Sequence, residues 1–181
     1  LQESERLRRM LADMLDVCLA DAGGLRLRRS RFALAPVVRE LAGRMGRLGN
    51  VLAQPVVLET PDVPVWVDAD VELVTRVLMN LVGNAIHHAS KGPITVALRP
   101  AVAGRVRCEV RDRGDVISEE DRRRIFEPLE QGRLSLTHRG HGLGLTFCRL
   151  AVAAHGGQIT VQPNGDGVGN CFAFDLPAAV D

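Results

Sequence analysis

VLMNLVGNAIHHA, residues 77–89, predicts a single buried helix that carries two amides among apolar side chains. Asn80 and Asn84 are four residues apart, about one helical turn, so both amides point the same way. Since an unpaired buried amide costs about 1–3 kcal/mol, each asparagine needs a partner. Backbone carbonyls or water would satisfy an isolated asparagine, whereas a pair followed by glycine-rich loops favours a metal ion and a phosphate chain. The apolar positions around the pair are Val77, Leu78, Leu81, Val82, Ala85 and Ile86.

Length and charge limit the class of protein. The 181 residues suffice for one hydrophobic core and an additional helix. A net charge of +1 provides no bulk field that would attract nucleic acid or a membrane surface. No apolar run reaches the roughly 18 residues of a membrane-spanning helix. The four cysteines form no CxxC pair, so neither a zinc site nor a disulfide framework is expected, and a reducing compartment is favoured.

Residues 1–22 predict an amphipathic helix, because apolar residues recur at spacings of three and four, and Gly23 and Gly24 end it. Its narrow apolar seam suits a helical bundle or a coiled coil, with packing on its own domain as the alternative. The chain begins at Leu1 within this pattern, without a Met or a signal peptide, so we expect a piece of a longer protein.

The remaining chain alternates between helix and strand patterns. Strands are predicted at 25–34 (or an extended connector), 51–60, 65–67, 94–98, 106–110, 158–162 and 171–176. Helices are predicted from Pro36 to about Met45, from a cap at Asp68 or Asp70 to about Ser90, and over 119–126 and 143–154. This order predicts an α/β sandwich, a mixed sheet with helices on one face. Residues 112–142 contain only one short helix, and a loop of that length is usually a functional lid.

Two further segments suit a nucleotide. Asp112 and Gly114 follow a predicted strand directly, where a carboxylate can accept a hydrogen bond from an exocyclic amine, although simple turn chemistry is the alternative. GHGLGL at 140–145 opens a helix, so its backbone N–H groups and the helix N-terminus could cradle phosphates. The alternative is a flexible hinge, and no strand immediately precedes it as in a dinucleotide fingerprint.

Four short motifs occur in a fixed order: NLVGNA at 80–85, DRG at 112–114, IFEP at 125–128 and GHGLGL at 140–145, followed by GNCFAFDLP at 169–177. They resemble the N, G1, F and G2 boxes and the closing strand of the catalytic ATP-binding domain of bacterial sensor histidine kinases. The larger family includes gyrase, mismatch-repair ATPases and large heat-shock chaperones. The likeness covers residues 31–177. It implies a Bergerat-type fold with a mainly antiparallel sheet over residues 25–181. It also implies that residues 1–24 end the second helix of the dimerisation hairpin, without the acceptor histidine.

The resemblance implies roles at the phosphate end. Asn84 matches the Mg²⁺ ligand, and an amide oxygen suits this hard cation. Asn80, a catalytic position, stands where hydrolysing relatives carry a glutamate base. An amide cannot take a proton from water, so phosphoryl transfer is favoured over fast hydrolysis. His87, also assigned to catalysis, would supply charge only when protonated. His88 is assigned to nucleotide binding, and a solvated helix end is the alternative for both histidines.

At the adenine end, the resemblance implies that Asp112 accepts from the amino group and that Gly114 lets the ring approach. Phe126 would anchor the lid, and Asn170 would replace a threonine that binds adenine through water. The implied phosphate cradle consists of Gly140, Gly142, Leu143 and Gly144.

The sequence departs from the family at Val116, which stands where the G1 box usually has a second glycine. Valine adopts positive φ only at a cost and brings bulk where the backbone should pass close to the base, which puts nucleotide affinity in question. Together with His87 and His88, Val116 motivates an alternative, a degenerate kinase-like module that binds nucleotide weakly and acts through protein contacts. A gyrase-like or mismatch-repair ATPase acting on DNA is a third hypothesis. Asn80 and the near-neutral charge count against it.

The sequence therefore predicts an ATP-dependent protein-histidine kinase with ATP and Mg²⁺ as cofactors. Its expected partners are a phosphoacceptor hairpin of the same protein or dimer mate and a response regulator receiver domain, within a homodimer and without nucleic acid. We expect the fragment to be inactive alone, because the acceptor helix is missing. The expected location is the cytoplasm, and an inner-membrane anchor for the full-length protein is left open.

Overall fold

The computed structural model describes residues 25–51, 54–88, 92–100, 103–127 and 143–179, without the side chains of 46–51. The strands in these ranges are β1 Ser30–Ala33, β2 Val56–Glu59, β3 Trp66–Ala69, β4 Ile94–Pro100, β5 Arg105–Arg111, β6 Ile159–Pro163 and β7 Asn170–Pro177. The helices are α1 Leu34–Val51, α2 Val71–His88, α3 Asp121–Arg124 and α4 Gly144–Ala154.

Five strands form the main sheet in the order β2-β4-β5-β7-β6. Strands β2 and β4 are parallel, while the other three pairs are antiparallel. The predicted mixed, mainly antiparallel sheet is therefore confirmed. Strands β1 and β3 form a separate antiparallel pair, which touches the end of β7 through a bridge between Val67 and Ala178.

Alternation along the strands separates the two faces of the main sheet. In β5, Val106, Cys108 and Val110 are buried, whereas the intervening side chains carry charge. The apolar residues predicted around the two asparagines of α2 are all buried, as their helical spacing requires. Since α2 packs against both α4 and α1, these helices complete the core.

Several predicted boundaries were wrong. We expected α1 to end near Met45, but it continues to Val51 through Gly46 and Gly49, although each glycine disfavours helix by about 1 kcal/mol. Consequently the strand predicted from residue 51 begins only at Val56. The predicted helix 119–126 shortens to α3. The helix predicted for residues 1–22 and the domain boundary at residue 24 lie outside the described residues.

Asp70 joins three segments of the chain at the start of α2. Its Oδ1 accepts hydrogen bonds from the N–H groups of Glu72 and Leu73, at 3.1 and 3.2 Å, and so caps the helix. Its Oδ2 accepts from the Arg28 N–H at 2.8 Å. Its own N–H donates to Nε2 of His155, just after α4, at 2.9 Å. Of the two capping candidates, Asp70 is therefore the cap.

Candidate active site

The N box meets the G2 box at the contact between α2 and α4. The Asn80 amide donates to the Gly144 carbonyl at 3.4 Å, and a Cβ on Gly144 would lie 3.5 Å from Asn80 Cγ. One turn before Asn80, the Arg76 guanidinium lies 4.0 Å from the ring centroid of Phe147 in α4. The two helices are thus joined on the same face of α2 that carries the asparagines.

Asn84 lies one turn after Asn80 and is half-buried. Its amide makes no hydrogen bond to any residue that the structure describes, so its oxygen is available to a ligand. Within the described ranges, no group of three or more His, Cys, Asp or Glu side chains is arranged to hold a metal ion. A cation at Asn84 would therefore take most of its ligands from water and a bound anion, as Mg²⁺ commonly does.

The two histidines end α2, and both are exposed. The carbonyl oxygen of His88 would lie only 2.8 Å from a Cβ on Gly114. Real Cβ atoms essentially never approach that closely, so residue 114 has to be glycine for the G1 box to pass the end of α2. This close approach is to the helix end, a reason for Gly114 that the motif did not reveal.

Asp112 is buried at the end of β5, with 3% of its surface exposed. Its Oδ1 accepts from the Gly114 N–H at 2.8 Å and from both the backbone and the side-chain amide of Asn170 at 3.3 Å. Its Oδ2 accepts no hydrogen bond from the described part of the chain. Three donors thus fix the carboxylate and leave one oxygen for a ligand.

Asn170, at the start of β7, uses both the oxygen and the nitrogen of its side-chain amide in hydrogen bonds within the protein. Its Oδ1 accepts from the Ile117 N–H at 2.9 Å, and its Nδ2 donates to the Asp115 carbonyl at 2.9 Å as well as to Asp112. With 4% of its surface exposed, the side chain has little access to solvent. It therefore holds the G1 box, and its predicted contact with adenine through water stays a prediction.

Val116 does not produce the expected backbone strain. Among the described non-glycine residues, only Ala103 has a positive φ. The Val116 side chain is 40% exposed, so it does not fill the core beside Asp112. The structure therefore removes the argument from positive φ, while the expected effect of the valine bulk on nucleotide affinity stays a prediction.

The start of the F box is anchored to the sheet. Phe126 is buried and meets Phe172 of β7 edge to face, with 6.4 Å between ring centroids. Glu127 forms an ion pair of 3.7 Å with Arg149 of α4. Of the four residues assigned to the phosphate cradle, Leu143 is buried and Gly144 begins α4, while Gly140 and Gly142 lie outside the described residues.

The β6–β7 turn contributes residues that the motifs did not single out. The Asn164 amide donates to the carbonyls of Asp112 and Val168, both at 2.7 Å. Gly169 has φ +79°, and its Cβ would lie 2.1 Å from the Asp112 carbonyl oxygen. Asp166 forms an ion pair with Arg113, and hydrogen bonds from the Val168 N–H and from Arg113 lower the pKa of its carboxyl. The only signal in the sequence was the NGDGVG turn itself.

A family model described as histidine kinase-, DNA gyrase B- and HSP90-like ATPase matches residues 69–180, more than half of the chain. The chain belongs to this ATPase family. Over 173 residues it is 32% identical to the adaptive-response sensory kinase SasA of Crocosphaera subtropica, covering 94% of this chain and 45% of SasA. The chain spans less than half the length of the curated relatives that it matches.

Two solved structures are similar to this chain over nearly its whole length. Full-length ShkA in complex with AMPPNP superimposes with a TM-score of 0.88 at 25% identity, covering 99% of this chain and 37% of ShkA. ThkA in complex with the response regulator protein TrrA gives 0.77 at 26% identity, covering 97% and 49%. Together with SasA, they show that the chain resembles the ATPase part of sensor kinases such as ThkA, a histidine kinase, and they confirm the predicted α/β sandwich. No helix among the described residues is both long and apolar enough to span a membrane.

Proposed function

We propose that this domain binds ATP with Mg²⁺ and transfers the γ-phosphoryl group to a histidine on a helical hairpin in two-component signalling. The observation that carries the proposal is Asp112, whose carboxylate is held by three donors with one oxygen left for a ligand. The complex of ShkA with AMPPNP supports an adenine nucleotide as that ligand. The free Oδ2 would accept from the exocyclic amino group of adenine.

The phosphate end of the nucleotide would lie along α2 and the start of α4. Asn84 would hold Mg²⁺, which when bound neutralises phosphate charge. Helix α4 has 11 residues, so its N-terminus at Gly144 carries partial positive charge suited to an anion. Phosphoryl transfer relies on positioning and electrostatic stabilisation, and Asn80 has no basic group that would activate water. Roles for His87, His88, Gly140 and Gly142 remain part of the proposal.

A response regulator is the proposed partner, because ThkA, a neighbour in structure, was solved with one. The acceptor histidine would come from a hairpin of the same protein or of its dimer mate, with residues 1–24 ending that hairpin's second helix. The proposed assembly is a homodimer without nucleic acid. On this proposal the fragment alone shows no phosphotransfer.

Asn84→Ala tests the proposed metal ligand. In a protein that includes the acceptor hairpin, we expect labelling of the histidine from radioactive ATP to fall at least about 100-fold, because phosphate charge is no longer neutralised. The Mg²⁺-dependent part of ATP affinity should also disappear. Gly83→Ala, one position earlier in α2, is the matched control, because its Cβ would meet nothing closer than 4.0 Å. Unchanged labelling in Asn84→Ala would remove Asn84 from the metal site, and no binding of ATP or ADP at millimolar concentration would reject the function itself.

Val116→Gly distinguishes a functional kinase domain from the alternative, a degenerate module that binds nucleotide weakly and acts through protein contacts. We expect ATP affinity, measured by titration calorimetry, to change by no more than about twofold, because Val116 has no positive φ to relieve. A gain above about tenfold would show an impaired natural pocket and would favour the degenerate module.

A further inference from the structure

The Asn170 side chain brackets Val116 from both sides. Its Oδ1 accepts from the N–H of Ile117, and its Nδ2 donates to the carbonyl of Asp115, each at 2.9 Å. One amide thus holds the residues before and after the position where the G1 box usually has its second glycine. The two bonds together fix the backbone on both sides of Val116.

The same Nδ2 also lies 3.3 Å from Oδ1 of Asp112. A buried carboxylate orients toward its donors, so this contact helps to fix Oδ1 and with it the direction of the other oxygen, Oδ2. A threonine, with a single hydroxyl, could not span three such partners in this way. The contacts link the shape of the 112–117 loop to the direction of the carboxylate.

We propose that Asn170 is a positioning residue for nucleotide recognition. It holds the 112–117 loop in a conformation that accepts valine in place of glycine, and it aims Oδ2 of Asp112 at the purine amino group. This inference rests on the proposed function, because Asp112 acts on a nucleotide only there. It predicts that Asn170 affects nucleotide affinity through its hydrogen-bond donor and not through its volume.

Asn170→Asp separates these two effects. The variant keeps the side-chain volume and the acceptor for Ile117, but it places a carboxylate oxygen against Oδ1 of Asp112 and the carbonyl of Asp115. Two carboxylates at this distance cannot both ionise easily, so the pKa of the pair rises. One added proton restores a donor between them. Affinity should therefore be lost above the raised pKa and recovered below it.

The measurement is the ADP dissociation constant of variant and wild type at fixed Mg²⁺, between about pH 8 and about pH 5.5. We expect the variant to bind at least about tenfold more weakly at the upper pH and to approach wild type at the lower one. The dissociation constant of the variant is divided by that of wild type at each pH, so that the effect of titrating the nucleotide itself cancels. A loss that does not depend on pH, or no loss at all, overturns the proposal.

Asn164→Asp is the matched control. Asn164 also bonds Asp112, but through the backbone carbonyl and not the carboxylate. We expect this variant to melt at a lower temperature because the β6–β7 turn loses a donor, while its ADP affinity relative to wild type stays constant across pH. A pH-dependent ratio in Asn164→Asp would show that any added charge in this region has the same effect, and would overturn the specific role of Asn170.

Hydrogen exchange at Ile117 tests the loop contact without nucleotide. Asn170→Ala should accelerate exchange of this amide at least about tenfold, whereas Asn170→Asp, which keeps the acceptor, should leave it slow. If wild type binds no nucleotide, the proposed function fails. Exchange at Ile117 would still test the hydrogen bond between Ile117 and Asn170. Equal exchange in Asn170→Ala and wild type contradicts the proposal in either case.

Discussion

Gly169→Ala is expected to lower the free energy of unfolding by at least about 3 kcal/mol and to abolish nucleotide binding. Gly169 has φ +79°, and its added Cβ would lie 2.1 Å from the Asp112 carbonyl oxygen and 2.7 Å from Arg113 Cα. These are backbone atoms, so the overlap is relieved only by separating the end of β5 from the turn before β7. Such a movement displaces Asp112 itself. Chemical denaturation measures the stability, and calorimetry with ATP measures the binding.

Gly167→Ala is the control in the same turn. Its φ of +76° nearly equals that of Gly169, but its Cβ would meet nothing within 4 Å. We expect this variant to lose only about 1 kcal/mol, the ordinary cost of a left-handed alanine, and to retain ATP affinity. The difference between the two variants isolates the close approach to Asp112. Equal losses would mean that the steric contact has no energetic consequence.

Asp112→Asn is expected to weaken ATP binding about 100-fold while leaving the fold intact. The three donors around Oδ1 select the asparagine rotamer that places its oxygen there, since the amide nitrogen would meet N–H groups. The nitrogen then occupies the position of Oδ2. A donor would face the donating amino group of adenine, so the variant loses an attractive contact and gains a repulsive one.

Asp166→Asn controls for the loss of one negative charge in the same region. Asp166 pairs with Arg113 and accepts from the Val168 N–H, but it is exposed and lies on the β6–β7 turn. Its loss should change ATP affinity less than about twofold, because exposed ion pairs contribute little. If both variants lose affinity equally, long-range electrostatics and not a hydrogen bond to adenine explains the role of Asp112. Melting temperatures of both variants establish that the fold is retained.

The sequence predicted those parts of the site that depend on local periodicity. The spacing of Asn80 and Asn84 places both on one face of α2, and the apolar residues around them are buried as their helical period demands. Asp112 follows β5 directly and takes the next buried position in its alternation, after Val106, Cys108 and Val110. The order of the motifs was sufficient to identify the family that the comparisons confirm.

The remaining features depend on tertiary pairing, which local patterns do not contain. Asn170 reaches Ile117 across 53 residues because β7 pairs with β5 in the register that sets Arg111 opposite Cys171. Without knowledge of that register, the expectation for Val116 could rest only on local properties of valine, such as the cost of a positive φ. Valine does disfavour positive φ, but φ at Val116 is not positive, so this cost does not arise.

Asp70 has a mechanical consequence. It bonds the segment that enters the domain at Arg28, caps the helix that carries Asn80 and Asn84, and holds His155 at the end of the helix that begins at Gly144. These bonds meet in one buried residue, so the segment at Arg28 and the two helices share a single point of attachment. Displacing the segment at Arg28 would therefore break or move a hydrogen bond to the same carboxylate that caps α2.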